Sequence, residues 1–157
     1  MSSLTSMDTI YLNSNPLISI DELSGINSLQ NLYAQNCEIK YLPNNLFNIF
    51  NLNMSHNNLE DLFGIGSLGY SNSHWKFFDF SYNQIEVIPP EITSTITYVQ
   101  YFSVKRNKLT HLPLELFDLS NFSDVLLDVS ENLFSIQELN LIKETVRNNL
   151  PSIVVNY

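Results

Sequence analysis

The feature that most constrains this chain is a spacing. In Val99–Pro113 (VQYFSVKRNKLTHLP), Val99, Phe102, Val104, Asn107, Leu109 and Leu112 stand at positions 1, 4, 6, 9, 11 and 14 of a frame, and a proline follows. The 4/6 alternation reads as a short strand with one face inward. The asparagine comes where the chain turns, and its amide can bond backbone groups there. The apolar residues at 11 and 14 carry the core into the returning arm. The frame recurs. Met7, Ile10, Leu12, Asn15, Leu17 and Ile20 fill a first copy, and Leu29, Leu32, Ala34, Cys37, Ile39 and Leu42 a second. Ile49, Leu52, Met54, Asn57, Leu59 and Leu62 fill a third, and Trp75, Phe78, Phe80, Asn83, Ile85 and Ile88 a fourth. Val99 opens the fifth. The sixth has Leu127, Val129, Asn132 and Phe134, with Asp124 where the first apolar residue belongs, and a seventh begins with Leu150, Ile153 and Val155. Five asparagines and Cys37 hold position 9, separated by 22, 20, 26, 24 and 25 residues. Length variation therefore falls on the returning arm and spares the strand.

These residues follow L-x-x-L-x-L-x-x-N-x-L-x-x-L, and over nearly its whole length the chain resembles the leucine-rich repeat proteins. The resemblance implies an α/β fold. It would be one domain over 1–157, a curved right-handed solenoid with a parallel concave sheet of six to seven strands and an irregular or short-helical convex side. Repeats would start near 7, 29, 49, 75, 99, 124 and 150. Elementary physics agrees: one repeat cannot bury its apolar face alone, but stacked neighbours share a continuous core. Parallel strands also need long crossovers, which the segments between frames supply.

The crossovers differ in character. Asn44–Ile49 and Leu114–Leu119 are predicted as short helical turns. Phe63–His74 holds three of the four glycines and is predicted to be the least regular connection. Ser135 and Glu138 form a capping-box pair, and Leu139, Ile142 and Val146 follow at one-face spacing. They predict an α-helix over about 136–148. Neither end carries an obvious polar cap, which leaves two expectations open: pairing of an edge strand with another copy, or further chain beyond.

Composition closes several routes to function. A net charge of −9 with only seven basic residues argues against nucleic acid and anionic membrane as partners. No apolar run approaches the ~18 residues of a membrane span. Met1–Leu12 has neither a basic start nor a long apolar stretch, so no cleaved signal peptide is expected. The expected location is the cytoplasm, or a host cytosol were the chain delivered as an effector without a cleavable signal. Cys37 is the single cysteine and cannot make an intrachain disulfide. It sits at the ladder position, and His56, His74 and His111 have no metal-type spacing with it. Asn53 and Asn121 begin Asn-X-Ser sequons, taken as chance. No phosphate-binding glycine loop, nucleophile elbow or H-E-x-x-H motif occurs. Asp79 and Asp128 would stand two strands apart, roughly 10 Å at ~4.8 Å per strand. Ser103 lies between them on an open face, so no hydrolase dyad is inferred. No enzyme activity, cofactor or metal is expected.

What remains is the concave surface. Side chains at positions 3, 5 and 7 alternate with the buried ones. Position 3 places Phe77, Tyr101 and Leu126 in an outward apolar row on three adjacent strands. Position 5 reads Tyr11, Tyr33, Asn53, Asp79, Ser103 and Asp128. Lys105 and Arg106, at positions 7 and 8, concentrate basic charge beside Tyr101, and Tyr82 precedes them at position 8. An outward apolar row with aromatic members is the composition of a binding hot spot. Tyr11, Tyr33, Asn53, Phe77, Asp79, Tyr82, Tyr101, Lys105, Arg106, Leu126 and Asp128 are therefore the expected contact residues for another protein. The alternatives are the recognition part of a larger enzyme or secreted effector, of ubiquitin-ligase or phosphatase-regulator type, and self-association through edge strands.

Overall fold

The computed structural model describes residues 6–69, 75–95, 99–117, 125–149 and 154–157. Expectations that fall on His74, Asn121, Asp124, Leu150 and Ile153 lie outside them. Seven short strands, β1 (Thr9–Tyr11), β2 (Asn31–Tyr33), β3 (Asn51–Asn53), β4 (Lys76–Asp79), β5 (Val99–Ser103), β6 (Leu126–Asp128) and β7 (Val154–Asn156), form one parallel sheet in chain order. Position 4 aligns across it as Ile10, Leu32, Leu52, Phe78, Phe102, Leu127 and Val155. Behind the sheet, positions 6 and 11 of the inner repeats (Ala34, Ile39, Met54, Leu59, Phe80, Ile85, Val104 and Leu109) are buried in a continuous core. The rings of Phe78, Phe80 and Phe102 pack edge-on at 6.2 and 5.8 Å between centroids. This is the leucine-rich repeat solenoid.

The asparagines at position 9 join successive repeats. Asn107 Nδ2 donates to Val104 O of its own repeat at 2.9 Å and to Phe80 O of the preceding repeat at 3.1 Å. Its Oδ1 accepts Ile85 N–H, also of the preceding repeat, at 2.9 Å. Asn57, Asn83 and Asn132 repeat the pattern, accepting from Ile39, Leu59 and Leu109 respectively. Cys37 supplies only the donor half, with Sγ 3.3 Å from Leu12 O. The backbone N–H that an asparagine there would take, that of Leu17, turns to Asn15 O at 2.8 Å.

Three placements differ from the sequence expectation. In the fourth repeat Trp75 does not enter the core and is half exposed, while Lys76 takes the inward place opposite Val99 and is fully buried. The register slips by one residue between Lys76 and Phe77, which lets the strand begin one residue later. In the sixth repeat Val125 is the buried residue at the start of the strand. In β7, Val155 pairs with Leu127 and so stands at position 4, two places from the frame expected.

The convex side is built of short 3₁₀ turns at Asp21–Leu23, Ile65–Ser67, Pro90–Ser94 and Leu114–Phe117. Asn44–Ile49 is a non-helical turn, held by Leu46 O accepting Ile49 N–H. Within the glycine-bearing connection, Ile65 and Leu68 are buried, so its described half is packed rather than irregular. Gly64 adopts φ of 90°, and a Cβ there would meet Asn44 Oδ1 at 2.6 Å. The helix α1 (Ile136–Asn149) turns Ile142 and Val146 inward and packs on the Leu114–Phe117 turn. Ser135 Oγ caps it by accepting Glu138 N–H at 3.1 Å. Glu138 does not reach back to complete a reciprocal box. Its carboxylate accepts Leu112 N–H at 3.2 Å and ties the helix to the fifth repeat.

Candidate functional site

Position 5 of the sheet carries structural bonds as well as surface. Asp79 Oδ1 accepts Ser81 N–H at 2.9 Å, and Asp128 Oδ1 accepts Ser130 N–H at 3.1 Å. Asn53 does the same to Ser55 at 3.0 Å, and Ser103 Oγ to Lys105 N–H at 3.3 Å. These side chains brace the turn that ends each strand, as Asx and Ser/Thr turns do. They also explain why Ser55 and Ser81 at position 7 are buried where an outward side chain was expected. Tyr11 and Tyr33 hold position 5 of the first two repeats and stack instead, with centroids 4.9 Å apart and planes 7° from parallel.

Position 3 divides the concave face in two. On β1 to β3 it is a polar ladder, in which Asn31 Nδ2 donates to Thr9 Oγ1 at 3.0 Å and Asn51 Nδ2 to Asn31 Oδ1 at 2.6 Å. On β4 to β7 it becomes Phe77, Tyr101, Leu126 and Val154, paired strand to strand. Phe77 is 44% and Val154 60% exposed. Val154 extends the expected row by one strand. Sequence reasoning missed it because the seventh frame was set two residues off. Burial raises the Tyr101 phenol pKa above its usual value, and the Asp79 and Asp128 charges add to the rise, while Ser103 and Lys105 oppose it. Between the two halves lies a depression of about 180 Å³, lined by Tyr33, Asn51, Leu52, Asn53, Phe77, Asp79 and Tyr101.

The strand ends add a third row. Ser14, Asn36, His56, Tyr82, Arg106 and Glu131, all at position 8, share a left-handed backbone with φ between 55° and 58°. That geometry brings their side chains into line. His56 stacks on Tyr82 at 4.1 Å, and Arg106 Cζ lies 5.1 Å from the Tyr82 centroid. Glu131 Oε1 pairs with Lys105 Nζ at 3.0 Å and its Oε2 with Arg106 Nε at 3.5 Å. The hydrogen bond to Glu131 is the main cause of a raised Lys105 pKa. The basic charge that Lys105 and Arg106 concentrate beside Tyr101 is thus already engaged by Glu131, a pairing across strands that sequence order does not display.

No protein-family model matches the chain, and no curated protein matches it in sequence. Among solved structures it is similar to a leucine-rich repeat protein of Leptospira interrogans, with a TM-score of 0.76 and 26% identity over 95% of this chain. The chain has the leucine-rich repeat fold. It spans 36% of the Leptospira chain's length. It also has the fold of a leucine-rich repeat domain of a Shigella effector, with a TM-score of 0.53 and 18% identity over 96% of this chain and 81% of that one.

In this leucine-rich repeat array the structure brings Phe77, Asp79, Tyr101, Leu126 and Asp128 onto adjoining strands of one face. Tyr33 and Asn53 border the same depression, whereas Tyr11 lies at the far edge of the sheet. Tyr82 and Arg106 belong to the separate row at the strand ends, which Lys105 joins through Glu131. Cys37 is buried in the ladder, and His111 Nδ1 is 3.3 Å from Thr110 Oγ1. Among the described residues no group of three or more His, Cys, Asp or Glu side chains could hold a metal ion. Among them, too, no helix is long and apolar enough to cross a membrane.

Proposed function

We propose that the chain is a non-enzymatic protein-recognition module that binds its partner on the concave sheet. The observation that carries this reading is the unbroken row Phe77–Tyr101–Leu126–Val154 on four paired strands, two of whose members are well exposed. Contiguous exposed apolar surface of this kind, rimmed by polar side chains, marks interaction sites. A seven-stranded face of about 30 Å offers roughly the ~800 Å² per partner of a standard interface. Phe77, Tyr101 and Leu126 serve as anchors. Asp79, Asp128 and the His56–Tyr82–Arg106–Glu131 row supply the polar surround.

Affinity capture with the wild-type chain and with Phe77→Ala/Tyr101→Ala, both analysed by mass spectrometry, tests the reading. The double variant keeps every ladder asparagine and is expected to retain the far-UV spectrum and melting behaviour of the wild type. A partner recovered equally well by both chains sinks the concave-face reading. A second reading makes these residues the recognition part of a longer protein, an enzyme or an effector acting in a host cytosol. The much greater length of the Leptospira protein favours it. The mass of the native product distinguishes the two.

A further inference from the structure

Resting on that reading, we infer that the concave depression beside Phe77 receives an arginine side chain of the partner. Three of its lining residues are aromatic (Tyr33, Phe77 and Tyr101), and one, Asp79, carries a negative charge. Asp79 spends Oδ1 on Ser81 N–H and is in no ion pair among the described residues. Asp128, two strands away in the same row, is likewise not ion-paired among them. The nearby cations, Lys105 and Arg106, are held by Glu131. The centre of the face therefore presents aromatic walls and, at Asp79, a carboxylate in no ion pair, whereas Asp128 also feels the Lys105 charge.

A guanidinium suits that combination better than an ammonium. Its flat, weakly hydrated group stacks on aromatic faces and forks onto a carboxylate, while its apolar stem lies along hydrocarbon. An aliphatic partner residue would leave Asp79 facing apolar surface without a counter-charge, at a desolvation cost. An acidic one would meet two like charges. The partner segment is accordingly one in which an arginine adjoins an apolar residue, the latter resting on Tyr101 and Leu126.

The test is panning of a displayed random dodecapeptide library on the immobilised full chain, with parallel panning on Asp79→Asn and on Phe77→Ala/Tyr101→Ala. Asparagine is the informative replacement, because Asn53 already makes the equivalent bond to Ser55 and the turn survives. The expected result is a consensus containing arginine next to an aliphatic or aromatic residue. Synthetic peptides of that consensus should bind Asp79→Asn about tenfold or more weakly, and should lose most of their affinity when the arginine is changed to lysine or glutamine. Selected peptides without arginine that still depend on Phe77 and Tyr101 overturn the arginine assignment and leave the concave-face reading standing. Peptides indifferent to Phe77→Ala/Tyr101→Ala, or no enrichment over that control, overturn both.

Discussion

A ladder asparagine serves two repeats with one amide, so its loss is felt on both sides. Asn107→Ala leaves the buried Ile85 N–H without its acceptor and takes one donor each from the Phe80 and Val104 carbonyls, which keep Asn83 and Asn132, and should lower the unfolding free energy by ~1–3 kcal/mol. Cys37→Asn runs the other way. It offers Leu17 N–H the inter-repeat acceptor in place of its local bond to Asn15 O and should raise stability by up to about 1 kcal/mol; urea unfolding of the two variants beside wild type checks both signs. Lys76 offers a third test. Burial pushes its ammonium down to about 8, from 10.5 for a free lysine. Below pH 8 it is charged in both states, and the fold bears the burial penalty. Between pH 8 and 10.5 it is neutral when folded and charged when unfolded, so stability from this group rises with pH. The unfolding free energy of wild type should therefore climb relative to Lys76→Met across that interval, by at most about 3 kcal/mol. Tyr101 opposes this near and above pH 10, since its raised pKa keeps the phenol protonated in the fold, which is why the paired comparison is needed. A constant difference between the two chains would refute the buried-lysine account.

At the scale of strand and turn, each repeat ends its strand the same way. A position-5 side chain accepts the position-7 N–H in four repeats, and position 8 goes left-handed in six. Side chains other than glycine or asparagine are strained there. Ser14 is exposed with φ of 58°, so Ser14→Gly should stabilise by up to about 1 kcal/mol, whereas Ser14→Val should destabilise. Thermal melts of the pair would show opposite shifts. For α1, Ser135→Ala removes the cap on Glu138 N–H and should cost about 1 kcal/mol.

The frame from Met7 to Phe134 was legible in the sequence because burial repeats at fixed offsets, and Leu139, Ile142 and Val146 revealed the helix in the same way. What was not legible depends on geometry between repeats. Nothing in Trp75-Lys76-Phe77 signals that a lysine rather than a tryptophan turns inward, since hydropathy argues the reverse. The Glu131 pairing with Lys105 and Arg106 joins residues 25 or so apart through strand stacking alone. Asp79 and Asp128 read as free surface until their turn bonds are seen. The one available cue was Asn53, an Asx-turn residue at the same position as the two aspartates.

For the molecule as a whole, the division of the concave face sets what it can do. The β1–β3 half spends its position-3 polar groups on each other, while the β4–β7 half leaves apolar side chains facing outward. The proposed partner contact lies on the second half, bordered by aspartates in a chain of net charge −9. Association with a basic partner should weaken as ionic strength rises toward 1 M, where the screening length falls to ~3 Å. The exposed Ile18 and Tyr41 lie outside positions 3 and 5 and provide an internal control. The most direct measurement is a calorimetric titration of the captured partner into three chains: wild type, Phe77→Ala/Tyr101→Ala and Ile18→Ser/Tyr41→Ser. Recognition by the concave sheet predicts a loss of about a hundredfold or more for the first double variant and an unchanged Kd for the second. An unchanged Kd for Phe77→Ala/Tyr101→Ala, with affinity lost in Ile18→Ser/Tyr41→Ser, would contradict it.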